Sequence, residues 1–179
     1  MNILVFGAQG SGKSTHAKYI ADKLEVPYIY TGDLFRDLEN EDSDRGRKIR
    51  GLMKQGILIP NELSIPAFKE YLNKFDTSEG VVLDGYPRNI EQAQSLSVKI
   101  DLIIRINLPE KIAIGRLKER GRSDDNPEVI KKRLELFYEQ TKPIFDYFKN
   151  KGVKIAQIDN SPPLEEVRLA VDDLLKNQK

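Results

Sequence analysis

The segment Gly7-Ala8-Gln9-Gly10-Ser11-Gly12-Lys13-Ser14 sets glycines, a lysine and a hydroxyl at the spacing G-x-x-x-x-G-K-[ST]. Such glycines let successive backbone N–H groups turn inward around a phosphate. A helix opening at Lys13 would add the positive end of its dipole. Lys13 supplies a point charge for the outer phosphates, and the Ser14 hydroxyl suits Mg²⁺. The motif points to a bound nucleoside triphosphate and is silent on what becomes of the phosphate.

Further along, Asp84-Gly85-Tyr86-Pro87-Arg88 follows an apolar run. A carboxylate there, beside a phosphate cradle, can reach Mg²⁺ through water. Gly and Pro make a tight turn that projects Arg88 into the same crevice. Thr31-Gly32-Asp33-Leu34-Phe35-Arg36 ends another apolar run, and Gly121-Arg122-Ser123-Asp124-Asp125 precedes Arg133. Arg36, Arg88, Arg116, Arg120, Arg122 and Arg133 therefore fall at loop or helix-end positions that can converge. Arginine is planar, bidentate and always charged, which suits it to clamping phosphates.

Two other features carry less. Asn73-Lys74-Phe75-Asp76 matches N-K-x-D, a guanine-reading pattern, but it ends an amphipathic stretch, Pro66–Phe75, rather than a buried strand. It reads as a solvated helix end. The single histidine, His16, lies on the helix after the cradle and is expected at the surface.

These groups need a scaffold. Asn2–Phe6, Pro27–Tyr30, Gly80–Leu83, Asp101–Ile106 and Lys154–Ile158 are short, apolar and rich in Val and Ile, as parallel strands covered on both faces are. Helical periodicity lies between and after them, over Lys13–Leu24, Pro109–Arg120, Asn126–Lys149 and Pro163–Leu175. Their apolar positions include Tyr138 and Leu169. The alternation predicts a doubly wound α/β sheet with right-handed crossovers. Gly32 to Ser78 is too long for a simple crossover and reads as a small helical insert beside the carboxyl edge of the sheet. Its charged middle, Glu39–Lys48, reads as a mobile surface.

Composition narrows the classes. A chain of 179 residues is one domain by length. With 29 Lys+Arg against 28 Asp+Glu, it gives no electrostatic case for a nucleic-acid or membrane partner. It holds no cysteine, which excludes disulfides and thiolate-ligated metals. No apolar run approaches the length of a membrane span, and no basic leader is visible, so a cytoplasmic protein is expected.

Taken together, Gly7–Ser14, Asp84–Arg88 with Gln92, and Arg122-x-Asp124-Asp125 with Arg133 resemble the adenylate kinases, over essentially the whole chain. That family interconverts ATP and AMP with two ADP. The resemblance implies a P-loop three-layer sandwich with a five-stranded parallel sheet and helices on both faces. It implies a core of residues 1–30, 60–120 and 127–179, an AMP-binding insert of about 30–59 and a very short lid of about 120–126. Gly10, Ser11, Gly12, Lys13, Ser14 and Thr15 would hold ATP phosphates, with Arg116 stacking on its adenine and Arg120 and Ser161 also on the ATP side. Thr31, Arg36, Gly85, Tyr86, Pro87, Arg88 and Gln92 would hold AMP, with the backbone of Ile57, Leu58 and Ile59 receiving its adenine. Arg122 and Arg133 would reach the AMP and transferring phosphates. Lys13, Arg88, Arg122 and Arg133 would carry the transfer. Mg²⁺ would be held by Ser14 and, through water, by Asp84. The short lid leaves no room for a zinc knuckle, and a monomer is expected. Asp124 and Asp125 are expected to tie the lid to itself or to arginines.

The sequence departs from the family pattern at Ala8-Gln9, at Ser14 and at Asn89. Asn at the last position is common in UMP/CMP kinases, the competing reading. Gln92 and Thr31 speak against it, because pyrimidine relatives usually carry Asn and Ala there. A non-catalytic nucleotide switch would have no need of a second phosphate clamp. No general base is required for transfer to AMP, whose phosphate has a second pKa of about 6 and is already anionic near neutral pH.

Overall fold

Alternate residues of single strands face opposite layers. Ile3 and Val5 of β1 (Asn2–Phe6) pack with Ala17 and Ile20, whereas Leu4 and Phe6 pack with Phe68 and Phe148. In β4 (Leu102–Asn107), Ile104 and Ile103 divide in the same way. Strands buried on both faces need this continuous apolar run.

The computed structural model describes residues 1–120 and 127–178. The other strands are β2 (Tyr28–Tyr30), β3 (Val81–Asp84) and β5 (Lys154–Asp159). Their order is β2-β3-β1-β4-β5, and every pairing is parallel. One face carries α1 (Lys13–Leu24) and α8 (Leu164–Lys176). The other carries α4 (Asn61–Leu72) and α7 (Pro127–Asn150). Helices α2 (Thr31–Glu39), α3 (Asp44–Lys54), α5 (Ile90–Gln94) and α6 (Glu110–Arg120) complete the described elements. The parallel α/β sandwich expected from the sequence is the fold found. No described helix is long and apolar enough to cross a membrane.

Of three expectations, the helix end at Asn73–Asp76 holds with shifted bounds and the other two need correction. The charged stretch Glu39–Lys48 is not a loose surface: Ser43 caps α3, its hydroxyl accepting from Gly46 N–H at 3.0 Å, and Ile49 is fully buried. Leu34, Leu38, Ile49, Ile59 and Ala67 form a small core of their own. The insert's charges line the outside of that core. Second, α4 runs from Asn61 to Leu72 with Pro66 inside it, so Asn73 caps the helix and Asp76 accepts from Ser78 N–H in the turn beyond. The N-K-x-D pattern thus lies at a helix end. Third, Tyr138 and Leu169 are exposed; Val167, Val171 and Leu175 are the inward face of α8.

Candidate active site

The loop between β1 and α1 closes through Gly10 at φ 77° and Gly12 at φ 84°. A Cβ on Gly10 would strike the Ala113 carbonyl, and one on Gly12 the Asn160 amide. Both positions thus need glycine for conformation and for space. The loop is pinned from β5's far side by Asn160, which sequence reasoning missed. Its Nδ2 donates to Ser11 O at 2.6 Å, and its Oδ1 lies 2.8 Å from His16 Nε2. Asn160 N–H donates to Asn107 O at 2.8 Å, and Arg116 donates to Asn160 O at 3.5 Å.

His16 is therefore not a surface residue: it is 1% exposed. Because Asn160 Oδ1 can only accept, His16 donates from Nε2, and its buried Nδ1 has no partner among the described residues. Burial lowers its pKa; the Asn160 bond opposes that, and Arg168 and Arg116 add to it. The helical spacing of α1 does place His16 beside Ala17 and Ile20, but its partner is 144 residues away.

At the carboxyl end of β3, Asp84 is fully buried. Tyr28 donates its hydroxyl to Asp84 Oδ2 at 3.0 Å, while Oδ1 has no partner among the described residues. Burial, with the Asp84 charge adding to it, pushes the Tyr28 phenol well above its ordinary value, so it stays a donor. The nearby Ser14 side chain partly opposes that rise. A buried carboxylate with one oxygen unfilled, facing a hydroxyl at a helix start, fits a hydrated divalent cation. Among the described residues no three His, Asp or Glu gather into a metal cage.

The turn after Asp84 holds Arg88 with its guanidinium inward. Arg88 Nε donates to Gly85 O at 2.8 Å, and Arg88 N–H donates to Gln92 Oε1 at 2.7 Å. Burial pulls the Arg88 pKa down, with Tyr30 and Asp84 opposing and Arg133 adding to the drop. Arg88 is thus a buried cation whose nearest acidic group is Asp84 and whose cationic neighbour is Arg133. Gln92 is buried, and its Nε2 donates to Ser64 Oγ at 3.0 Å and Asn61 Oδ1 at 3.2 Å.

Two clefts adjoin here. Gln9, Lys13, Leu58, Gly85, Arg88 and Arg133 line both. The wider one lies against Met53 and Gly56 of the insert. Arg36, Ile57, Ile59, Tyr86 and Gln92 line it as well, and Pro87 lines its neighbour. Arg133 of α7 reaches across to the insert, donating to Met53 O at 3.3 Å. Arg36 pairs with Asp33 at 2.6 Å and lies over the Tyr30 ring. Thr31 is buried beside the cleft, its hydroxyl donating to Asp84 O at 3.4 Å. Ser161 sits past β5, its N–H donating to Asp159 Oδ1 at 2.9 Å, in a groove beside Ala8. Arg122, Asp124, Asp125 and the Arg120 side chain lie outside the described residues.

Residues 5–153 match the family model described as adenylate kinase. The chain is 35% identical to an adenylate kinase of Staphylococcus epidermidis, covering 98% of this chain and 99% of that protein. It is 34% identical to one of Cyanothece sp., covering 99% and 97%. A third relative, an adenylate kinase of Thermobifida fusca, is 35% identical with 99% and 100% covered.

Proposed function

The chain belongs to the adenylate kinase family, and from that premise we propose how its residues divide the work. The reaction is transfer of the terminal phosphoryl group of ATP to AMP, giving two ADP. The observation that carries the assignment of roles is the wider cleft, whose wall brings Lys13 of the phosphate cradle together with Arg88 and Arg133. Two polyanions must be brought into line, and three cations stand where their phosphates would meet.

On the donor side, Gly10 to Thr15 hold the ATP phosphates with backbone N–H groups, and Arg116 faces the adenine with Ser161 at its edge. On the acceptor side, the wide cleft takes AMP. Arg36 and Arg88 hold its phosphate, and Thr31, Tyr86, Gln92 and the backbone from Ile57 to Ile59 enclose the nucleoside. Lys13, Arg88, Arg122 and Arg133 balance charge as the phosphoryl group moves. The attacking oxygen of AMP is already anionic, so no side chain has to remove a proton.

Ser14 and Asp84 would hold Mg²⁺, Asp84 through water, with the unfilled Oδ1 as the supporting observation. Bound there with ATP, the ion neutralises the phosphate oxygens and fixes their geometry. The insert of about 30–59 and the lid of about 120–126 close over a core of 1–30, 60–120 and 127–179, excluding water that would otherwise take the phosphoryl group. The protein works as a cytoplasmic monomer on small molecules, with no zinc, nucleic acid or membrane in its action.

The test is a coupled assay of AMP, UMP, CMP, GMP and dTMP as acceptors with Mg·ATP. AMP is expected to give by far the highest kcat/KM. A preference for UMP or CMP would replace the acceptor assignment.

A further inference from the structure

Tyr28 has no place in the roles above, and its position does not follow from packing alone. It opens β2, next to β3, whose last residue is Asp84. The ring packs against the layer under α1 and stacks on Tyr30, with centroids 6.3 Å apart. A phenylalanine would satisfy that packing. The hydroxyl does something further: it donates to Asp84 Oδ2 at 3.0 Å and neighbours the Ser14 side chain.

Asp84 is fully buried, and among the described residues only its Oδ2 has a partner. A carboxylate at a strand end can rotate about its terminal torsion, which is broad. One hydrogen bond to one oxygen selects the rotation and so fixes where the other oxygen lies. Partners of this kind orient metal-supporting carboxylates and tune the affinity of the ion.

We propose that Tyr28 is a positioning residue for the divalent cation carried by ATP, its hydroxyl holding Asp84 so that Oδ1 receives a water of the hydrated ion. The inference rests on the magnesium reading of Ser14 and Asp84. Tyr28 touches neither nucleotide nor metal. It links the start of β2, which leads directly into the acceptor-side insert, to the donor-side ion.

The experiment measures nucleotide binding rather than turnover. ATP affinity is determined by calorimetry with Mg²⁺ present and with the metal removed by chelation, for wild type, Tyr28→Phe, Asp84→Asn and the double variant. Wild type should bind ATP more tightly with the metal. In Tyr28→Phe the metal-dependent gain should fall by ~10-fold, with metal-free affinity unchanged. In the Asp84→Asn background, Tyr28→Phe should have no further effect on that gain. Equal metal-dependent gain in wild type and Tyr28→Phe, while Asp84→Asn loses it, would overturn the role of Tyr28 alone. No change in Asp84→Asn would overturn the magnesium reading beneath it. Equal weakening of metal-free and metal-bound ATP in Tyr28→Phe would show a merely structural hydroxyl and also overturn the proposal.

Discussion

Arg88 and Gln92 are joined back to front: the Arg88 N–H donates to Gln92 Oε1 at 2.7 Å while the guanidinium turns the other way, to Gly85 O. Both residues line the wider cleft. Gln92 Nε2 is also anchored, on Ser64 and Asn61. Both Nε2 hydrogens are thus committed within the protein, and the second lone pair of Oε1 is the group that can accept from an adenine amino donor.

Gln92→Ala should therefore do two things at once. It should lower the kcat/KM preference for AMP over CMP by about 10-fold, since adenine loses an acceptor held in place for its amino group. It should also raise KM for AMP by freeing the Arg88 turn. Steady-state kinetics on both acceptors read this out. An unchanged AMP/CMP ratio would move base reading to the backbone of Ile57–Ile59.

Lys13→Met should fold normally and lose ~10²–10³-fold in kcat, the scale for removing one charge-stabilising donor. Lys13 belongs to the phosphate cradle and also lines the wider cleft, which places its charge between the two proposed substrates. Thermal melting confirms the fold, and saturation kinetics give kcat. Equal kcat in the two proteins would contradict the role.

Asn160→Ala should destabilise the protein by about 2–3 kcal/mol, a Tm drop of roughly 5–10 °C, because Ser11 O and the His16 Nε2–H lose their partner in a buried place. The same change loosens the cradle, so KM for ATP should rise while KM for AMP holds. Calorimetry and kinetics on each substrate test the two halves separately.

His16 gives a pH dependence of defined sign. In the unfolded chain it titrates near its ordinary value of 6.5; in the fold, burial lowers it. Between the two values the unfolded chain binds more protons, so stability rises with pH across that window. The contribution is present above about pH 6.5 and is lost as pH falls through the folded value. His16→Gln should flatten Tm against pH on the acid side of neutrality. A slope matching that of wild type would refute it.

The parts of this site legible in the sequence are those written in contiguous residues. Lys13–Leu24 is the helix found, because the glycine cradle fixes its start and the apolar period its inward face. The strand-end carboxylate Asp84 was likewise visible, since an apolar run and a Gly-Pro turn bracket it. What the sequence hid depends on distant partners. Charge density over Glu39–Lys48 masked a helix whose burial comes from Leu34, Leu38 and Ile59 elsewhere in the insert. His16 read as exposed because its partner arrives after β5, and Tyr28 read as strand filling because its hydroxyl acts across to β3. The contact between Arg133 and Met53, which brings α7 to the insert, spans 80 residues and leaves no local signal.

The most direct test of the account is the fate of the phosphoryl group, followed by ³¹P NMR in a mixture of Mg·ATP and AMP with the purified protein. The clefts meeting at Lys13, Arg88 and Arg133 predict loss of one ATP and one AMP for every two ADP formed, with no inorganic phosphate accumulating. Release of ADP with inorganic phosphate while AMP stays unconsumed would mean that water, not AMP, receives the group, and would contradict the account.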